Sequence, residues 1–239
     1  MPKVPKRIRE LREKVDRERD YPLAEAVRLV KECATARFDE TVELHLKTGL
    51  DGRHADQQIR GSVNLPHGIG KEVRVAVFAE GEAATAAQQA GADVVGSDDL
   101  IQRVQGGFLD FDVAVAQREL MGKVGSLGRV LGPRGLMPNP RNNTVVAAED
   151  IPRAVQEAKS GRVDFRMDRT NNIHVILGKV SFSEEQLLEN LQAMVQEIQR
   201  NRPSGAKGEL IRGAALTSTM GPGVRLDLQE LKSPVAVGA

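Results

Sequence analysis

The run V-R-V-A-V-F (73–78) is followed by E-A-A-T-A-A-Q-Q (82–89), D-V-V-G (93–96), D-D-L-I-Q-R-V-Q (98–105) and F-D-V-A-V-A (111–116). Val73, Val75 and Val77 alternate in a short segment, and branching at Cβ suits a pleated surface, so the segment reads as a strand. The Ala-rich stretch from Gly81 to Ala90 predicts a helix. The unit then repeats as a strand at Asp93–Gly96, a helix at Asp98–Gln105 and a strand at Phe111–Ala116. Strands alternating with helices at short spacing predict a parallel sheet covered on both faces.

On either side of this block the rhythm changes. In Thr41–Lys47, Val42, Leu44 and Leu46 alternate with Glu43, His45 and Lys47, the period of two that marks a strand with one buried face. A basic and acidic helix over Lys6–Val15 and an amphipathic helix over Leu23–Ala34 precede it, with Pro22 suited to a first helical turn. A second strand, Gln58–Leu65, ends at Pro66. Beyond the block, a helix over Ile151–Ser160 stops at Gly161. Strands return at Val163–Met167 and Ile173–Val180, around a turn at Arg169–Asn172. Ser183, with Glu184, Glu185 and Gln186 behind it, starts a helix that runs to about Arg200. Glu209–Thr219 is the last long strand. After the turn Met220–Gly223, Val224–Leu228 is its expected hairpin partner, and the tail from Lys232 is expected to fray. The order predicts an α/β chain of two domains. One is a discontinuous two-layer domain from residues 1–67 and 160–239, and the other is an insert at 68–159.

The 239 residues hold 34 Lys or Arg against 33 Asp or Glu, a net charge of +1 that hides local imbalance. Leu120 to Ala148 contains no acid but includes Lys123, Arg129, Arg134 and Arg141, and residues 1–19 are also predominantly basic. Basic stretches on a near-neutral chain point to localised polyanion contact, although a solvated face also accounts for such clusters. Cys33 is the only cysteine, which excludes a disulfide or a Cys-based metal site within the chain and predicts a buried thiol. There is no signal-peptide pattern and no apolar run long enough to span a membrane, so a cytoplasmic location is expected.

Enzyme motifs fit poorly. In Gly122–Pro140 (G-K-V-G-S-L-G-R-V-L-G-P-R-G-L-M-P-N-P), the glycines would let backbone approach a ligand and N–H groups cradle phosphate. Yet Val124 follows Gly122-Lys123 where a nucleotide triphosphatase loop needs Ser or Thr. Gly132-Pro133-Arg134-Gly135 matches the G-x-x-G of an RNA clamp, a tetrapeptide common by chance. His45, His54, His67 and His174 show no metal spacing. Thr217-Ser218-Thr219-Met220-Gly221-Pro222-Gly223 ends a strand with hydroxyls, a thioether and glycines. A hairpin turn explains it, and so does a surface for RNA sugars.

Several runs together resemble one family: Arg37-Phe38-Asp39-Glu40-Thr41-Val42-Glu43, His54-Ala55-Asp56-Gln57-Gln58, Leu65-Pro66-His67-Gly68, Gln105-Gly106-Gly107, Gly122–Pro140, Gly178-Lys179-Val180-Ser181-Phe182 and Ser218–Gly223. They occur in the same order in the L-one family of bacterial large-subunit ribosomal proteins, and the resemblance runs from about Tyr21 to Val224. It implies an interrupted α/β domain that binds the stalk region of large-subunit ribosomal RNA. The inserted domain would be a Rossmann-like three-layer α/β/α unit without a dinucleotide. It further implies help in releasing tRNA from the exit site and repression of the chain's own operon through its mRNA. No catalysis, cofactor or metal is implied, and the free protein is expected to be a monomer.

Carried over by position, the RNA surface would comprise Arg37, Phe38, Thr41, Glu43, His174, Ser218, Thr219, Met220 and Gly221. Secondary, mainly electrostatic contacts would come from Lys123, Arg129, Arg134 and Arg141. By the same resemblance, Phe38 would pack on a ribose or base, Arg37 would meet phosphate and Thr219 would bond a 2′-hydroxyl. Three positions depart from the family pattern. Asn142-Asn143 stands where Thr-Gly is common, Ile176 where Pro is frequent, and Arg37 where Lys is usual.

Overall fold

A computed structural model describes residues 5–206 and 208–232, without the side chains of residues 55 and 141. It divides into two compact units, Met1–Gly70 with Val163–Ala239, and Lys71–Arg162.

The first unit begins with α1 (Lys6–Lys14), α2 (Leu23–Cys33), β1 (Thr41–Thr48) and β2 (Arg60–Asn64). The inserted unit runs β3 (Val75–Phe78), α3 (Glu82–Gln89), β4 (Val94–Gly96), α4 (Asp98–Gln105) and β5 (Val113–Gln117). It continues through α5 (Met121–Val124), α6 (Gly128–Leu131), β6 (Val145–Val146) and α7 (Ile151–Lys159). The chain then returns as β7 (Arg162–Arg166), β8 (Asn172–Lys179), α8 (Glu184–Arg200), β9 (Ile211–Ser218), β10 (Val224–Arg225) and α9 (Leu228–Lys232).

The inserted sheet has the order β4-β3-β5-β6, with every pair parallel. Alternate strand residues feed opposite faces. Ala76, Phe78, Ala114 and Ala116 pack with Leu100 and Val104 of α4. Val75, Val77 and Val115 pack with Ala83 and Ala87 of α3 and with Ile151 and Val155 of α7. Both faces are therefore covered, the arrangement a parallel sheet needs.

In the first unit the sheet order is β10-β9-β1-β8 and all three pairings are antiparallel. Val42, Leu44 and Leu46 of β1 are buried, as are Leu23, Ala26, Val27 and Val30 of α2 and Leu187, Leu191, Met194, Val195 and Ile198 of α8. Ser183 caps α8 reciprocally. Its hydroxyl accepts from the Gln186 N–H at 3.1 Å, and the Gln186 side chain accepts from the Ser183 N–H at 2.9 Å. The opposite face of this sheet, with Glu43, His45, Lys47, His174 and Ile176, is partly or fully exposed.

Three local features depart from the sequence reading. Strand β7 pairs with β2, and a Met167–Ile173 bridge follows it toward β8. The expected strand Val224–Leu228 ends at Arg225, and Leu228–Lys232 turns into a short helix. The tail beyond Lys232, expected to fray, lies outside the described residues.

The third departure is the glycine-rich segment, where no element was expected and which is wound into short helical turns. Arg118–Leu120, Gly125–Leu127 and Gly132–Arg134 are 3-10 turns that alternate with α5 and α6. Leu120, Val124, Leu127 and Leu131 recur every three or four residues and are buried, which outweighs the local glycine penalty. The turn at Asn142-Asn143 needs a left-handed residue. Asn143 supplies it with φ 47°, a conformation Asn tolerates better than most side chains.

Candidate nucleic-acid interface

Strand β1 begins at Thr41, where β8 and β9 also terminate. Thr41 lies opposite Lys179, and Val42 lies opposite both Gly178 and Ser218. Thr219 continues the ladder past its regular end: its N–H donates to the Thr41 carbonyl at 3.0 Å, and its Oγ1 accepts from the Thr41 N–H at 2.9 Å. The Thr41 hydroxyl accepts from Lys179 Nζ at 2.9 Å. One strand further in, Glu43 faces Thr217 and Ile176, and His45 faces His174.

Phe38 is 56% exposed, Met220 46% and Ile176 39%; these are the exposed large hydrophobics among the described residues. Phe38 leads into β1, Met220 follows β9, and Ile176 sits beside Glu43, so apolar surface gathers at this end of the open sheet. Burial would favour covering such groups in water, which makes this end of the sheet a candidate contact surface. Arg37 is exposed and has no ion-pair partner among the described residues.

Ser218 is 2% exposed, and its hydroxyl donates to Glu40 Oε2 at 2.7 Å, so its polar atom is engaged inside the protein. Gly221 gains an internal reason as well. A Cβ there would lie 2.5 Å from the Ser218 hydroxyl oxygen, so a side chain would displace the Ser218 bond. Glu40 was not among the expected site residues. It is 1% exposed. Besides Ser218 it accepts from the Ala36 N–H and the Met220 N–H, each at 2.9 Å. Burial pushes its carboxyl up, but these three donors outweigh burial and hold it below the ordinary carboxylate range.

The histidines are not all isolated. His45 Nδ1 and His174 Nδ1 are 2.8 Å apart and their rings meet edge to face. His45 Nε2 lies 3.8 Å from Glu43, and His174 Nε2 lies 3.6 Å from Asp168. At 2.8 Å one ring must donate and the other accept, so the pair cannot carry two protons on these nitrogens without separating. Burial, reinforced by the charge of His174, lowers the His45 pKa from its ordinary 6.5 despite Glu43. No group of three or more His, Cys, Asp or Glu among the described residues could hold a metal ion. No helix among them is long and apolar enough to cross a membrane.

The secondary residues belong to the inserted unit. Lys123 is paired with Asp98 at 2.9 Å and Glu80 at 3.3 Å, so a phosphate would have to compete with two carboxylates. Arg129 and Arg134 are exposed and have no ion pairs among the described residues. The Arg141 side chain lies outside the described residues. A Cβ on Gly122, Gly125, Gly128 or Gly132 would meet nothing within 4 Å. These glycines therefore serve no close internal approach.

Comparison with known proteins accords with this geometry. The pattern of the Ribosomal protein L1p/L10e family matches residues 30–222. The large ribosomal subunit protein uL1 of Dehalococcoides mccartyi is 56% identical over 219 residues, covering 92% of each chain. That of Chloroflexus aggregans is 57% identical over 229 residues, covering 95% of this chain and 97% of the relative. That of Thermobifida fusca is 56% identical over 222 residues, covering 93% and 94%. With so much of the chain matched at such identity, it belongs to the Ribosomal protein L1p/L10e family.

Proposed function

We propose that this chain is a structural constituent of the large ribosomal subunit that binds large-subunit ribosomal RNA, at its stalk region, through the open end of the β10-β9-β1-β8 sheet. It is a ribosomal protein rather than an enzyme. The observation that carries the RNA reading is the gathering at one sheet end of exposed Phe38 and Met220 with Arg37, Thr41, Glu43 and Thr219. Phe38 offers a ring for stacking on a base or ribose, and the Thr219 hydroxyl can exchange a bond with a 2′-hydroxyl. Glu43 can accept from a guanine amine or a 2′-hydroxyl, and Arg37 supplies phosphate contact with a planar donor fork. Met220 adds an adaptable apolar contact.

Arg129, Arg134 and Arg141 would add sequence-independent attraction. Lys123 is the weaker candidate of the four, because Asp98 and Glu80 already neutralise it. The same surface would recognise the chain's own operon mRNA where that RNA shares the fold of the stalk, giving translational repression. We further infer, from the family resemblance, that the chain assists the release of tRNA from the exit site.

Equilibrium binding of the full chain to a stalk-region RNA fragment across a salt series tests the reading. Tight binding whose logarithm falls linearly with log salt is expected, the slope counting neutralised phosphates. Equal affinity for an unrelated duplex of the same length would refute it. Competition with the operon leader and with deacylated tRNA then tests the two further roles separately.

A further inference from the structure

We propose that Glu40, with Arg7 on the opposite side, is a positioning residue for RNA recognition: it clamps the Met220 peptide so that the Met220 thioether points away from the protein and Thr219 stays exposed beside it. The inference rests on the RNA reading above and names residues outside the surface itself.

Glu40 immediately precedes β1, and the inward positions of that strand are Val42, Leu44 and Leu46. By the strand period of two, Glu40 falls on their side and its carboxylate is carried into the interior. A buried carboxylate is retained only when its oxygens are satisfied. Here Oε1 takes the Ala36 N–H from the segment before β1, and Oε2 takes both the Ser218 hydroxyl and the Met220 N–H from the turn after β9. One side chain thus ties together the two segments that carry Phe38 and Met220. Arg7 of α1 completes the grip, donating to the Met220 carbonyl at 3.1 Å and to Thr35 Oγ1 at 3.0 Å. The Met220 residue is therefore held at its N–H by a carboxylate and at its C=O by a guanidinium, while its thioether stays exposed.

Glutamine cannot reproduce this set. Each of its orientations puts an NH2 group against a backbone N–H, of Ala36 or of Met220, so one donor faces another.

The test uses the full chain and the stalk-region RNA fragment. Glu40→Gln is expected to bind about tenfold more weakly, the size expected when one charge-assisted bond is lost. Arg7→Ala and Ser218→Ala are each expected to lose about threefold, less than Glu40→Gln, because each leaves the Glu40 carboxylate bound to the Ala36 and Met220 N–H groups. In the free protein, the amide resonances of Ala36 and Met220 should move together in Glu40→Gln while those of α8 stay put, a signature that a general loss of stability does not give. In a Met220→Ala, Thr219→Ala background, Glu40→Gln should cost little further affinity, because its action runs through those two residues.

If the wild type fails to bind the fragment, the underlying RNA reading falls. If the wild type binds and a folded Glu40→Gln binds equally well, or its loss adds in full to that of the double variant, the positioning role is refuted. Should Glu40→Gln fail to fold, unchanged affinity in both Arg7→Ala and Ser218→Ala overturns the proposal.

Discussion

The two four-stranded sheets of this chain solve the same packing problem in different ways. In the inserted unit, a parallel sheet has helices on both faces, and Val75, Ala76, Val77 and Phe78 of β3 are all buried. In the first unit, an antiparallel sheet is covered on one face only, and β1 alternates between buried and accessible residues along its length. A closed sheet has no side-chain surface to offer a partner, so its contacts must come from peripheral segments. An open sheet presents a flat array at strand spacing, whose ends can be fitted with rings, hydroxyls and a thioether. The exposed large hydrophobics among the described residues, Phe38, Ile176 and Met220, all belong to the open one. On the proposed reading, recognition falls to the open sheet, whose covered face carries the large core of the first unit, while the closed sheet is left to packing alone.

The largest expected effect breaks the closed sheet. Phe78→Ala removes a fully buried ring and should cost about 3–5 kcal/mol of stability in thermal or denaturant unfolding. RNA affinity should change little at temperatures where the chain is folded. A large affinity loss in the folded variant would show that the two sheets do not divide the work. Next in size, Thr219→Ala on the open sheet should weaken RNA binding by roughly 1–3 kcal/mol, because a polar RNA group is left unpaired. An unchanged dissociation constant would remove Thr219 from the interface.

Smaller effects sharpen the comparison. Gly125→Ala lies in the wound segment with no neighbour within 4 Å of a new Cβ, so it should raise stability by up to about 1 kcal/mol. A loss of stability would contradict a helical role there. Charge reversal at Arg134 should lower affinity less than Thr219→Ala and reduce the salt slope by about one phosphate contact. The smallest effect concerns pH. The fold holds His45 below its ordinary 6.5, so the unfolded chain takes up a proton first as pH falls. The stability linked to His45 is therefore fully present above about pH 6.5 and declines below it. Thermal midpoints between pH 7 and pH 5 should fall less steeply in His45→Gln than in the wild type.

How legible these features were depended on whether their cause is local. The alternation of strand and helix in 73–116 announced the parallel unit, because each element carries its own period. The Ser218–Gly221 run was conspicuous for its unusual residue types, but whether its hydroxyls face inward or outward is set by register. Glu40 was legible in principle: counting back by two from Val42 places it on the buried side of β1. Its donors, Ala36, Ser218 and Met220, come from segments before and far beyond the strand, so its role is not visible from the strand alone. The His45–His174 pair was hidden because two strands far apart in sequence bring the rings together. The glycines of 122–135 drew attention to backbone approach to a ligand, while the quieter spacing of Leu120, Val124, Leu127 and Leu131 carried the helical signal. Pairing of β7 with β2 depends on the long-range return of the chain, which no window of residues contains.

Amide hydrogen exchange of the full chain, free and saturated with the stalk-region RNA fragment, compares both regions in one experiment. The account predicts slowed exchange concentrated in residues 36–43 and 217–221, at the open end of the first sheet, with the strands of the inserted sheet unchanged. Protection confined to 118–135, with 36–43 and 217–221 exchanging as in the free protein, would contradict it.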